Sequence, residues 1–425
     1  MFLTVNLLKD NEAVLSKYQN YYQYVLVDEY QDTNKAQYFL TKLLSGKSQN
    51  LTVVGDFSQA IYSWRGADYR NLSNLSSNFP KIKTINLEQN YRSTQTILDA
   101  AYAVISKNEK HPILKLFTQN NQGEKIVVFR AQTGDSEAEF VAEKIKQLVD
   151  SGIDPTKIAV LYRTNAQSRS LEEAFIRHGI AYILIGGVRF YNRAEVKDTI
   201  CLLRVFQNQA DQVSWQRIEK NLGKRRRAKV EGFIKDSKNK KLSSQDLLER
   251  ILTASGYLDK FDPDDEDDYR RLENIKELSS VARQFPDLID FLENIALVQQ
   301  EYSSQEKEKF KFTNQSIKLM TLHASKGLEF EAVFLVGMEE GLLPHSRSLE
   351  DKESLEEERR LCYVGITRAQ NRLFLTSACR RLFFGQTNFN AISRFLEDLP
   401  KELLVEESEE DQFAWIEQDE DSWEW

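Results

Sequence analysis

An α/β fold with parallel sheets is predicted by two features of this 425-residue chain. Short apolar runs recur between helix-like stretches, and the first of them ends in a pair of carboxylates. Strands that alternate with helices predict parallel sheets covered on both faces. The runs are YVLV (24–27), LTVV (51–54), TINL (84–87), IVVF (126–129), IAVLY (158–162), IKLMTL (317–322), AVFLVG (332–337) and RLFLT (372–376). Residues 198–313 break this rhythm. They are helix-like and charged, with a basic knot at Lys224-Arg225-Arg226-Arg227 and an acidic one at 262–268, and they predict a helical insertion between strands of a second sheet.

The first run delivers Asp28 and Glu29 to a strand's C-terminal tip, where an open α/β sheet places its chemistry. An acid pair there suits Mg²⁺–nucleotide work, one carboxylate holding the metal and the other orienting a water. Such a site also needs a phosphate cradle, G-x-x-x-x-G-K-[ST], and none occurs in these residues. The nearest match, Gly46-Lys47-Ser48, has Thr41 where the first glycine belongs and precedes a strand, so it reads as a polar turn.

After the second run comes VGDFSQAIYSWRGAD (54–68). Gln59 near a strand end suits a sensor of a γ-phosphate or its water. Tyr62, Trp64 and Arg65 place two aromatics and a guanidinium within four residues, the makings of a stacking platform for unpaired bases. By residue type alone Trp64 is more often a core residue; the neighbouring Gly66 and polar surroundings favour a loop. In LEQNYRS (87–93), Arg92 can reach a phosphate and Tyr91 can stack on a base. TLHASKGLEF (321–330) sets His323, Ser325, Lys326 and Gly327 in a turn rich in phosphate-compatible donors, with Glu329 able to accept from a ribose hydroxyl. In EEERRLCYVGITRAQ (356–370), Arg368 precedes a strand as an arginine finger would. Arg359 and Arg360, beside three glutamates, read as helix-surface pairs.

Composition sets the remaining bounds. Length suggests about three domains. No apolar run approaches the roughly 20 residues that span a bilayer. The N-terminus has no basic leader, and the widely spaced Cys201, Cys362 and Cys379 fit a reducing cytoplasm. Residues 397–425 hold thirteen acids against one lysine, so the preceding 396 residues carry +4 of the chain's overall −8. This end reads as a mobile acidic extension, either simply solvated or a partner-binding peptide through Trp415, Trp423 and Trp425.

Taken in order, five of these segments closely resemble superfamily 1A DNA helicases of the UvrD/PcrA/Rep type. DEYQDT is similar to motif II, GDFSQAIYSWRGAD to motif III, LEQNYRS to motif IV, TLHASKGLEF to motif V and EERRLCYVGITRA to motif VI; IGGVRFYNRAEVKD (185–198) resembles the passage into the family's auxiliary insertion. The resemblance runs from about residue 18 to 400. It implies RecA-like motor domains: a partial first one over 1–112, a second over 113–197 and 314–396, the helical insertion over 198–313, and the acidic tail. It implies ATP and Mg²⁺ as cofactors, with Asp28 on the metal, Glu29 activating water, and Gln59, Arg92 and Arg368 on the γ-phosphate. Tyr91 would stack on adenine, Glu329 would meet the ribose, and Tyr62, Trp64, Arg65 and His323 would face single-stranded DNA. The implied activity is 3′-to-5′ translocation and duplex unwinding in repair or replication, in the cytoplasm. Departures stand beside it. The family's P-loop, adenine-reading Gln motif and most of its first auxiliary subdomain are absent from these residues. Motif III reads DFSQ where acids commonly follow the first Asp, the insertion has no clear Gly-Ile-Gly hairpin, and no nuclease-like domain follows motif VI. The rival expectations are a non-catalytic DNA-binding relative and the motor arm of a helicase–nuclease.

Overall fold

The structure is a computed structural model that describes residues 1–237, 240–312, 315–383 and 386–407. Its first sheet is small. Strand β1 (Val25–Val27) pairs in parallel with β2 (Leu51–Val53). The crossover between them is the helix Lys35–Ser45, which opens on a capping box between Asn34 and Gln37. Helices Phe2–Asp10 and Glu12–Tyr21 pack against it. Alternation along a strand sends neighbouring side chains to opposite faces, and here one face is left open: Leu26 is 75% exposed, and Tyr24 and Val54 are exposed with it.

TINL, read from sequence as a strand, is not one. Strand β3 covers only Gln89–Asn90, pairs with β4 (Phe117–Thr118), and leaves Ile85 and Leu87 in water. A strand needs a neighbour to satisfy its backbone, and none reaches residues 84–87.

The second sheet is large. It comprises β5 (Ile126–Thr133), β6 (Ile158–Tyr162), β7 (Tyr182–Ile185), β8 (Ile317–Thr321), β9 (Phe330–Leu335), β10 (Ala369–Phe383), β11 (Gln386–Phe389) and β12 (Leu404–Glu407). The spatial order is β12-β5-β10-β9-β6-β8-β7, parallel throughout, with β11 antiparallel to β10. Central β6 shows how both faces are filled. Ile158, Val160 and Tyr162 enter one core with helices Gly134–Asp150 and Ser168–Arg177, while Ala159 and Leu161 enter the other with helices Gln95–Ile105 and Lys352–Ile366. Stacked rings close the first of these cores, Phe129 on Phe140 at 3.7 Å and Phe334 on Phe374 at 4.4 Å.

Six helices between Ala194 and Phe312 form a third core of their own around Trp215, Ile251 and Phe291. One buried carboxylate ties this helical block to the sheet. Glu172 accepts from Ser168 Oγ (2.8 Å), Tyr182 Oη (3.2 Å) and the Phe190 N–H (3.2 Å) on the way into the block, and from Tyr302 Oη (2.8 Å) on the way out. Desolvation raises its pKa against the pull of Arg193 and these donors.

The acidic extension does not begin at residue 397. Arg394–Glu397 is a short helix, and Leu404–Glu407 adds an edge strand to β5, with Glu407 paired to Lys144 at 2.8 Å. Backbone pairing and the apolar Leu403 and Leu404 outweigh the local negative charge. Residues 408–425, with the three tryptophans of the tail, lie outside the described residues.

Candidate nucleotide and nucleic-acid site

The site forms where the tips of the small sheet meet the large one, and it has three parts. In the first, Asp28 and Glu29 stand just past β1. Glu29 takes the left-handed conformation (φ 51°), which turns its carboxylate out of line with the strand. Asp28 Oδ1 accepts only the adjacent Glu29 N–H (2.8 Å), and its carboxylate is exposed. Glu29 Oε2 accepts from Gln31 Nε2 at 2.6 Å. Gln59 sits beside this pair and donates to Asp56 Oδ2 at 2.9 Å.

Lys326 reaches this group from the other sheet. Its ammonium lies 3.2 Å from Glu29 Oε2, bonds Asp32, and donates to the Gln59 carbonyl at 2.7 Å. Only 7% of its side chain is exposed. Burial raises the Asp32 carboxyl pKa, and the Lys326 contact pulls it back down. Sequence inspection placed Lys326 in a donor-rich turn but did not assign it; its partners lie almost 300 residues away, so no local signal could have.

The second part is cationic. Arg92 Nε donates to Glu329 Oε2 at 2.6 Å, and its Nη1 reaches the Thr367 carbonyl at 3.4 Å. That hydrogen bond holds the Glu329 carboxyl below its usual range. Glu329 also accepts from Gln370 at 2.9 Å while about half of its side chain stays exposed. Arg368 is 2% exposed and spends its donors on the Val364 and Leu328 carbonyls and Thr367 Oγ1. Desolvation, then the like charge of Arg92, lowers its pKa to about 10, while Glu29 pulls the other way. Arg368 therefore feels both Glu29 and Arg92. Tyr91 is 79% exposed beside them.

The third part is aromatic. Tyr62, Trp64 and His323 form a cluster with ring centroids 6.2–6.5 Å apart, and Tyr62 Oη donates to the His323 carbonyl at 3.1 Å. Trp64 is half-buried, at the edge of an open cleft of about 620 Å³. The Arg65 guanidinium lies 4.3 Å from its ring centre, and Arg270, from the helical block, lies 4.7 Å from it. Sequence gave no hint of Arg270. Desolvation, helped by Arg163, Arg270 and Arg65, holds the His323 imidazole well below its ordinary pKa, so it is neutral at pH 7. Lys326 joins the first and third parts, its ammonium 5.3 Å from the Tyr62 ring centre.

One assignment is overturned here. Arg360 is not a surface pair but a buried side chain, 2% exposed, donating across the junction to the Ala60 carbonyl at 2.8 Å. Arg359 donates to the Val104 carbonyl and pairs with Asp398. A run of EEERR looks like a solvated helix face; only packing against residues 60–69 and 104 removes it from water.

The oxygen-rich acid pair fits a hard cation such as Mg²⁺; Arg92 is partly exposed beside it, whereas Arg368 is buried with its donors on the Val364 and Leu328 carbonyls and Thr367 Oγ1. Gly46 and Lys47 do not complete the site. Gly46 caps the helix Lys35–Ser45, and Lys47 bonds Asn20.

The comparisons with known proteins agree in direction. The model of the UvrD-like helicase C-terminal domain matches residues 85–263 and 237–380, and that of the UvrD/REP helicase N-terminal domain matches residues 1–80. The chain is 40% identical to ATP-dependent DNA helicase PcrA of Staphylococcus epidermidis, over 94% of this chain and 61% of that protein. It is 40% identical to PcrA of Staphylococcus aureus over 95% of this chain and 62% of that one. With PcrA of Leuconostoc citreum the identity is 39%, over 95% and 60%. The chain thus spans about three-fifths of the length of the curated relatives it matches. On the strength of these matches, the chain belongs to the UvrD-like helicase family.

Proposed function

We propose that this chain carries the strand-gripping and nucleotide-responsive parts of an ATP-dependent 3′-to-5′ DNA helicase that acts on single-stranded and duplex DNA. Residues 1–112 would be part of a first RecA-like domain, 113–197 and 314–396 a second, and 198–313 its auxiliary insertion. One observation carries the proposal: buried Lys326 joins the Asp28–Glu29 tip to the Tyr62–Trp64–His323 cluster. A change at the acid pair is thereby felt at the platform where a base would stack.

Bound MgATP would supply the phosphoanhydride whose cleavage drives movement. The chain's own residues have narrower tasks. Asp28 offers an exposed carboxylate for the metal, Glu29 orients a water, and Gln59, Arg92 and Arg368 meet negative charge as it shifts. Tyr91 and Glu329 hold the nucleoside, while Tyr62, Trp64, Arg65 and neutral His323 present π-faces and a guanidinium to successive bases. A second reading has its own support. Because no phosphate cradle occurs in these residues, the chain by itself suits DNA binding without turnover.

Trp64→Ala tests the platform. Anisotropy with a labelled oligonucleotide should show binding weakened by about 1–3 kcal/mol, with an unchanged melting curve. A large fall in melting temperature with unchanged affinity would make Trp64 a core residue and end this assignment.

A further inference from the structure

Trp64 depends on its backbone turn for its aim. The indole N–H is buried and meets no acceptor among the described residues, so no hydrogen bond of its own fixes the ring. The ring is carried by the three-residue turn Ser63–Arg65. Within it the Arg65 N–H bonds the Tyr62 carbonyl (3.0 Å) and the Gly66 N–H bonds the Ser63 carbonyl (2.7 Å). Gly66, in the left-handed conformation at φ 80°, ends it. So short a turn is marginal unless its leading N–H groups find acceptors, and the Tyr62 side chain supplies none.

The cap comes from 294 residues away. Glu357, on helix Lys352–Ile366, accepts the Ser63 N–H at Oε1 (3.2 Å) and the Ser63 hydroxyl at Oε2. One helical turn further along, Arg360 donates to the Ala60 carbonyl at 2.8 Å. The same helix therefore holds the chain both at the start of the turn and just before it.

Charge alone argues against a carboxylate at this place. Glu357 is half-buried on the wall of the cleft beside Trp64, and an acid there repels the phosphates on which strand binding rests. Desolvation also raises its pKa, opposed by the Ser63 hydroxyl and then by Arg360. Both of its oxygens are nevertheless engaged by Ser63, so what it supplies to the cleft is geometry.

We propose that Glu357 is a positioning residue for single-strand binding: it caps the Ser63–Arg65 turn and so fixes the face that Trp64 offers to a base. This role rests on the reading of Tyr62, Trp64 and Arg65 as the strand platform. Glu357 itself touches no base and acts through Ser63. Without the cap the turn samples other conformations. Only the fraction that presents Trp64 then binds, and the apparent affinity falls with that fraction.

The test is anisotropy of a labelled oligothymidylate with the full chain. Glu357→Ala should bind about three- to tenfold more weakly, the loss that a missing cap gives. Glu357→Asp keeps the charge but draws the carboxylate back by one methylene. It should weaken binding likewise, so if one variant fails to fold the other decides. Glu357→Gln drops the charge but keeps an acceptor for the Ser63 N–H, and should bind at least as tightly as the parent chain. In a Trp64→Ala background the Glu357→Ala loss should vanish, because the two residues act in series. Binding by Glu357→Ala or Glu357→Asp as tight as the parent's, while Trp64→Ala weakens it, overturns the positioning role and leaves the platform standing. A Glu357→Ala loss undiminished beside Trp64→Ala also overturns it, as does Glu357→Gln binding as weakly as Glu357→Ala. Trp64→Ala without effect on affinity removes the platform and the positioning role together.

Discussion

Strands β1 and β6 begin alike in sequence and end in different conditions. Both are apolar runs that deliver polar residues from their tips. Every residue of β6, Ile158–Tyr162, is at most 1% exposed, with a core on each side. In β1 Leu26 is 75% exposed, and the sheet has one covered face and two strands. The imbalance is general: sixteen of the twenty-four strongly exposed large apolar side chains among the described residues fall within residues 1–117. An apolar run therefore states what a strand requires, while the number of neighbours decides whether the requirement is met.

The largest difference between the two regions is expected in stability. Phe334, fully buried and stacked on Phe374, should cost about 3–5 kcal/mol on replacement by alanine. Leu26→Ser should change stability by no more than about 0.5 kcal/mol. Denaturant midpoints of the two variants check this; equal losses would mean that β1 is covered in solution.

A smaller effect is expected where the two regions are joined. Lys326→Ala leaves Glu29 and Asp32 without their cation. Removing one partner of a fully buried pair costs about 3–5 kcal/mol, but Glu29 is 54% exposed, so about 1–3 kcal/mol is expected here. Oligonucleotide affinity should fall with it, since Tyr62 loses its neighbour. A loss of stability with affinity intact would uncouple the acid pair from the platform.

The smallest effect concerns Arg270, whose guanidinium occupies the Trp64 ring that a base would use. A cation–π contact at a partly exposed site is worth about 0.5–1 kcal/mol, so Arg270→Ala should tighten single-strand binding about two- to fivefold. Weaker binding by anisotropy would show that Arg270 is itself a ligand for the strand.

Much of the large sheet was legible, because burial on both faces demands continuous apolar runs such as IAVLY and AVFLVG. Three strands escaped, one of them the antiparallel β11 (Gln386–Phe389). YILI at 182–185 lies close to the Gly186-Gly187 turn, and LVEE at 404–407 is an edge strand whose acids look like tail. TINL erred the other way, apolar but without a partner strand. At the site, the acid pair and the aromatic–arginine cluster were visible as residue types in sequence. The contacts of Arg360, Lys326 and Arg270 were not, since each acts on residues that only folding brings near.

The central proposal is that these residues supply the acid pair, the cations and a platform for bases, but no cradle for the β- and γ-phosphates. Losing one well-placed charge stabiliser can cost roughly 10²–10³ in rate, and a P-loop with its Lys is a whole set of them. The direct test is ATP hydrolysis by the purified 425-residue chain, with and without single-stranded DNA. The account predicts no DNA-stimulated turnover, and its appearance once a P-loop-bearing N-terminal segment of a relative is supplied in trans or by fusion. Robust turnover by the chain alone, abolished by Glu29→Gln, would contradict it and make Lys47 the first residue to examine as the cradle.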